Sequence, residues 1–159
     1  MNTSNRNQQT AKLSDILLSW YDSERRILPW REDPTPYHVW VSEIMLQQTR
    51  VDTVIEYYQR FLRELPDVKA LAEAEEERLL KLWQGLGYYS RIRNMHKGAI
   101  QVMEEYGGEI PGTPKELQKL SGIGEYVAAA ISSIAFAYPI PSVDGNLLRV
   151  YARMTGYEE

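Results

Sequence analysis

Leu120-Ser121-Gly122-Ile123-Gly124-Glu125-Tyr126-Val127-Ala128-Ala129-Ala130-Ile131 is the stretch whose reading decides the fold of this chain. Glycines two positions apart allow a tight turn, with positive φ open to either of them. Upstream, Pro114 suits the first position of a short helix running to Leu120. Downstream, an Ala-rich helix extends from Glu125 to about Ala137. A helix that begins at such a turn offers unpaired N-terminal amides to an anion, and its macrodipole favours negative charge there. Gly122 and Gly124 are therefore candidates to admit a backbone phosphate. The same two glycines also suit a plain connection between helices, needed for geometry alone.

Outward from this turn the signal is helical almost everywhere. Leu13, Ile16, Leu17, Trp20 and Tyr21 follow one stripe of an amphipathic helix, and Leu28 to Pro36 reads as an ordered, proline-rich loop. Helices are expected over about 37–48, 51–65 (ended by Pro66), 75–83 and 90–106, the last closed by Gly107–Gly108. After a proline-broken linker over 138–141, a further helix starts behind Asp144. No segment alternates with period two for long enough to be a strand. The chain is expected to be all-α.

Composition narrows the chemistry. The 159 residues contain no cysteine and only two histidines, His38 and His96, so neither a thiol nucleophile nor a zinc constellation is available. No apolar run approaches the roughly 20 residues that span a bilayer. The net charge of −4 argues mildly against a nucleic-acid partner, yet basic residues cluster at 25–31, 91–97 and 149–153. Catalysis in this chain has to run on carboxylates, hydroxyls or amines.

Several positions could carry it. Asp144, in Asp144–Gly145–Asn146, reads first as a helix N-cap, the commonest use of such an aspartate, and alternatively as a carboxylate placed near the glycine turn. Glu43 stands between Val41 and Ile44–Met45; on a polar helix face it is ordinary, whereas buried it would have a raised pKa and suit a general acid. Gln48 and Thr49 offer an amide and a hydroxyl at a helix end. The loop Gly85-Leu86-Gly87-Tyr88-Tyr89-Ser90-Arg91 joins backbone freedom, two aromatic rings and a base. It is read as sliding a ring into a base stack, with Arg91 and Arg93 clamping phosphates.

Taken together, five segments resemble the helix-hairpin-helix DNA glycosylase superfamily, and within it the A/G-mismatch adenine DNA glycosylases (the MutY family). They are LPWR (28–31), WVSEIMLQQT (40–49), GLGYYSRIRN (85–94), LSGIGEYVAAAI (120–131) and VDGNLLRV (143–150). The resemblance implies a six-helix barrel, about residues 31–140, with the helix-hairpin-helix at about 114–136. Residues 11–30 would be an N-terminal helix belonging to a second lobe. Residues 141–159 would begin that lobe without finishing it, and 1–10 would be a disordered tail.

The resemblance also implies roles. Glu43 would protonate N7 of a flipped adenine, Asp144 would stabilise an oxocarbenium-like sugar, and Tyr126 and Asn146 would support them. Gln48 and Tyr88 would lie in the stack near the opposing 8-oxoguanine with Thr49 close by, Leu86 and Arg91 would contact DNA, and Arg26, Trp30 and Arg31 would border the adenine pocket. Bifunctional relatives carry a nucleophilic lysine where this chain has Tyr126, which implies a monofunctional hydrolase. The implied partner is double-stranded DNA with an A/8-oxoguanine or A/G mismatch, bound by a monomer in the bacterial cytoplasm, at the nucleoid. A 4Fe-4S cluster is implied for the family, with cysteine ligands beyond the end of this chain. Ser121 departs from the proline common at the start of the hairpin, which implies some loss of rigidity. A pyrimidine-excising relative and a non-catalytic DNA-binding fragment are the competing readings.

Overall fold

A computed structural model describes the backbone of residues 3–156 and the side chains of residues 12–156. Ten helices follow one another among these residues: α1 (Thr3–Glu24), α2 (Pro29–Glu32), α3 (Pro36–Leu46), α4 (Val51–Glu64), α5 (Val68–Ala72), α6 (Glu76–Trp83), α7 (Ser90–Glu105), α8 (Pro114–Leu117), α9 (Glu125–Phe136) and α10 (Gly145–Thr155). No strand interrupts them, so the all-α expectation holds.

Local chemistry sets most boundaries. Thr35 and Thr113 accept hydrogen bonds from the amides of His38 and Glu116, and the prolines that follow each threonine open α3 and α8. Gly108 N–H returns to the Val102 carbonyl at 3.0 Å and closes α7. Three details differ from the sequence expectation. The first helix begins at Thr3, inside the 1–10 stretch expected as a tail; Met1 and Asn2 lie outside the described residues. The 28–36 loop contains the one-turn helix α2. Helix α5 arises after Pro66, where the Asp67 carboxylate caps it by accepting from Ala70 N–H at 2.7 Å.

Helix α3 sits at the centre. Tyr37, Val39, Trp40, Val41, Ser42, Ile44 and Met45 are all buried along its 11 residues, so most of its circumference faces protein. It packs against α9, whose Ala128, Ala129 and Ala130 are nearly inaccessible and let the two backbones approach closely. Helices α4, α6 and α7 complete the core with Phe61, Trp83, Ile92 and Met95. Helix α7 presses on the glycine turn through Gly98. A Cβ at that position would lie 2.9 Å from the Ser121 carbonyl oxygen and 3.0 Å from the Trp40 ring.

By contrast, α10 buries no residue, and Leu147, Leu148, Val150 and Tyr151 are exposed. Ile16, Leu17, Leu18 and Trp20 of α1 are exposed as well. Among the described residues, no helix is long and apolar enough to cross a membrane.

Candidate active site

The α3–α9 contact places Glu43 opposite Tyr126, which lies in the first turn of α9. Asp144, at the start of α10, closes the third side. These residues line a cleft of about 1150 Å³ together with Asn146, Arg26, Trp30, Arg31 and Gln48. Eight positions named from the sequence thus meet in one space. Residues that sequence reading missed also line it, among them Tyr21 of α1 and Ser42 and Leu46 of α3. No short-range signal marks them, because they belong to amphipathic patterns shared with ordinary core positions.

Glu43 stands on a helix whose other residues are mostly buried. Burial holds its carboxyl above the usual carboxylate range, and the negative charge of Asp144 adds to that. A hydrogen bond from the Tyr126 hydroxyl and the nearby Arg31 guanidinium pull in the opposite direction without cancelling it. The Tyr126 hydroxyl is pushed up to about 12, by burial first and then by the Glu43 charge, so it remains a donor.

Asp144 is the opposite case. Its carboxylate caps α10, accepting from Leu147 N–H at 2.8 Å and from Asn146 Nδ2 at 3.1 Å. The Leu147 backbone bond is the chief reason its pKa lies below the ordinary value, and burial opposes it only in part. Asn146 is fixed from its other end by Arg149, which donates to Asn146 Oδ1 at 3.0 Å. Two carboxyl groups on one cleft are therefore biased toward opposite protonation states, as acid and electrostatic roles require.

Trp30 forms a wall. Its ring meets Tyr58 edge to face, 5.4 Å between centroids, and is 7% exposed. Arg31 lies over the Tyr21 ring at 5.7 Å and donates to the Arg26 carbonyl at 3.3 Å. This stacks the basic edge of the cleft on α1.

The remaining candidates lie outside the cleft lining. At the glycine turn only Gly122 is left-handed, with φ +80°, and a Cβ there would lie 2.8 Å from the Asn94 Cβ. Gly124 is extended (φ −85°, ψ 179°), so the expected freedom of φ is used at one of the two glycines. What Gly124 contributes is room: nothing stands within 4 Å of a Cβ built there. Ser121 has a role that a proline could not fill, because its N–H donates to Gln101 Oε1 at 2.8 Å.

In the 85–91 loop, Tyr88 is exposed, whereas the Leu86 side chain is buried in the core at 6% exposure and is not presented alongside it. Both arginines of the 85–94 segment have partners within the chain. Arg93 is engaged with Glu76 at 2.6 Å, and the Arg91 guanidinium is surrounded by backbone carbonyls. Thr49 lies beside Arg91, its hydroxyl 3.4 Å from Nη2.

An all-helical chain whose glycine turn opens the helix that carries Tyr126 has counterparts among known proteins. Residues 41–159 match the HhH-GPD superfamily of base excision DNA repair proteins, and the chain belongs to that family. Within it, the chain is similar to adenine DNA glycosylases. It is 51% identical over 147 residues to that of Rattus norvegicus, covering 87% of this chain and 28% of the relative. It is 41% identical over 144 residues to that of Buchnera aphidicola subsp. Schizaphis graminum, covering 90% of this chain and 42% of the relative. The chain thus spans less than half the length of these curated relatives.

Among solved structures, a thermostable thymine-DNA glycosylase superposes with a TM-score of 0.85 at 26% identity, over 94% of this chain and 68% of that one. A non-covalent endonuclease III–DNA complex shares the fold at a TM-score of 0.83 and 24% identity, over 99% of this chain and 72% of the other.

Proposed function

We propose that this chain carries the catalytic cleft of a monofunctional adenine DNA glycosylase, which removes adenine mispaired with 8-oxoguanine or guanine in duplex DNA. The carrying observation is the opposed pair of carboxyls, Glu43 raised by burial and Asp144 lowered by its cap, facing one cleft. The similarity to adenine DNA glycosylases supports adenine as the base.

The cleft offers a route for an extruded nucleotide. Protonated Glu43 gives its proton to N7 of the adenine, which withdraws electrons from the glycosidic bond. The C1′–N9 bond breaks and its electron pair leaves with the base. Ionised Asp144, held by Leu147 N–H and Asn146, faces the positive charge that develops on the sugar. Water adds its oxygen to C1′ and gives up a proton to the Glu43 carboxylate, which restores the acid. The products are free adenine and an abasic sugar.

Nothing in the cleft favours strand cleavage through an imine. Its lining holds arginines but no lysine, and position 126 is a tyrosine. An iron–sulfur cluster of the kind implied for the family has no thiolate ligand among these 159 residues, and the chemistry above uses none. The open space at Gly124, beside the N-terminus of α9, supports anchoring of the DNA backbone there.

The test is direct. A duplex with adenine opposite 8-oxoguanine is incubated with the purified protein, then divided. Strand breakage at the adenine is expected only in the portion heated in alkali. No breakage in either portion sinks the adenine reading, and breakage without alkali sinks the monofunctional one. Preferential release of thymine would turn the assignment to a pyrimidine-excising relative.

A further inference from the structure

Arg91 makes contacts that a phosphate clamp does not need. Its Nη1 donates to the carbonyls of Ile44 at 2.9 Å and Met45 at 3.2 Å, and to that of Gln47. Its Nη2 donates to the carbonyls of Leu86 at 3.0 Å and Gly87 at 3.2 Å, and lies 3.4 Å from the Thr49 hydroxyl. The cation therefore sits on the negative end of α3 and at the same time on the turn that leads into α7. Its guanidinium also lies 5.4 Å from the Trp83 ring and 5.7 Å from the Tyr88 ring.

The two turns it joins share a second peculiarity. Gln48 and Tyr88 both adopt positive φ, +56° and +46°, a region that residues with a Cβ seldom occupy unless their surroundings enforce it. Both side chains are exposed, Tyr88 at 63%. Carbonyls flanking these residues, those of Gln47 and Gly87, each accept from Arg91. The constraint that enforces the two unusual conformations is thus shared between them.

We infer that Arg91 is a positioning residue that locks the 47–49 and 86–88 turns into one rigid unit, and so fixes the spacing of Gln48 and Tyr88, the two side chains that the family resemblance places in the DNA stack. The inference rests on the DNA-glycosylase reading of the cleft. Lysine in place of arginine would keep the charge but, as a single point, could not span both turns.

The experiment compares Arg91→Lys with the parent in a Glu43→Gln background, where no base is released. The DNA carries 2-aminopurine beside the mismatch. Three quantities are measured: fluorescence on binding, amide hydrogen exchange of residues 47–49 and 86–89, and the slope of log affinity against log salt. The parent is expected to raise the fluorescence. Arg91→Lys is expected to speed exchange in both turns together and to cut the fluorescence gain by about fivefold or more, since the fork cannot be replaced.

The salt slope is expected to stay the same, because no phosphate contact is lost. A slope that falls by about one unit would mean that Arg91 meets a phosphate, and overturns the inference. Loosening of one turn alone, or unchanged fluorescence, overturns it too. Thr49→Val guards against misfolding of the lysine variant: it removes only the hydroxyl partner and is expected to shift exchange in both turns to a smaller extent. No shift in either turn overturns the proposal. A parent that binds mismatched DNA without any fluorescence gain overturns it as well. Failure to release adenine in the separate excision assay sinks the proposed function and leaves these readouts standing.

Discussion

Glu43 and Asp144 are the same functional group in two settings, and the difference between them organises the cleft. Glu43 hangs from a helix that is apolar nearly all round, where little water reaches the carboxylate. Asp144 stands outside a helix start, where a backbone N–H and an amide side chain satisfy its charge. Burial penalises the ion in the first case, and hydrogen bonding favours it in the second. The fold thereby assigns acid and anion to two residues that no difference in side-chain chemistry would separate.

Exchanging the groups tests this contrast most severely. Glu43→Gln keeps the shape and removes the proton, and excision is expected to fall by about 10²–10⁴-fold, the usual worth of a general acid, with mismatch binding retained. Single-turnover excision and a binding titration read the two effects separately. Asp144→Asn leaves a good N-cap but removes the charge, so single-turnover excision is expected to fall by about 10²–10³-fold. A large drop in the melting temperature of this variant would instead assign Asp144 to the cap alone.

The contrast is sharpened by pH. The proposed mechanism needs Glu43 protonated and Asp144 ionised, so it assigns the alkaline limb of the rate profile to the raised group and the acid limb to the lowered one. The Tyr126 hydroxyl stabilises the Glu43 carboxylate and draws its pKa down. In Tyr126→Phe that pull is lost, and the alkaline limb is expected to move to higher pH while the acid limb stays. A shift to lower pH would contradict the hydrogen bond.

The smallest effect is on stability. A carboxyl whose folded pKa is raised binds its proton more readily folded than unfolded, so its ionisation costs stability as pH rises through that range. Glu43→Gln is therefore expected to melt higher than the parent near pH 8. A gain of about 1 kcal/mol corresponds to about 2–4 °C for a chain of this size. The advantage should shrink toward pH 4, where both side chains are neutral. An advantage independent of pH would point to packing rather than to charge.

Most of the fold was legible because helical periodicity and caps are local. Pro36, Pro114 and Gly107 mark boundaries that the structure reproduces within a residue or two. Helix α5 escaped, since five residues are too few to show a period. The first turns of α1 escaped because their polar composition resembles a tail. The site was legible mainly through five short segments that resemble a family. Arg91 shows the limit of that reading: a basic residue after two tyrosines in a loop reads as a phosphate ligand, and only the chain folded over it reveals that carbonyls from two turns already engage both terminal nitrogens of its guanidinium. The Leu86 side chain packs into the core, which no local pattern in that loop announces.

The amino-acid order by itself determined that this chain is helical, that its chemistry is carboxylate chemistry without thiols, and which residues are candidates. These depend on neighbours within a turn or two, or on composition. Tertiary structure decided which carboxyl is raised and which is lowered, that the Tyr126 hydroxyl meets Glu43, and that Arg91 bonds to backbone carbonyls of two turns. Those outcomes depend on burial and on partners a hundred or forty residues away, and no local pattern encodes the solvent that a side chain will lose.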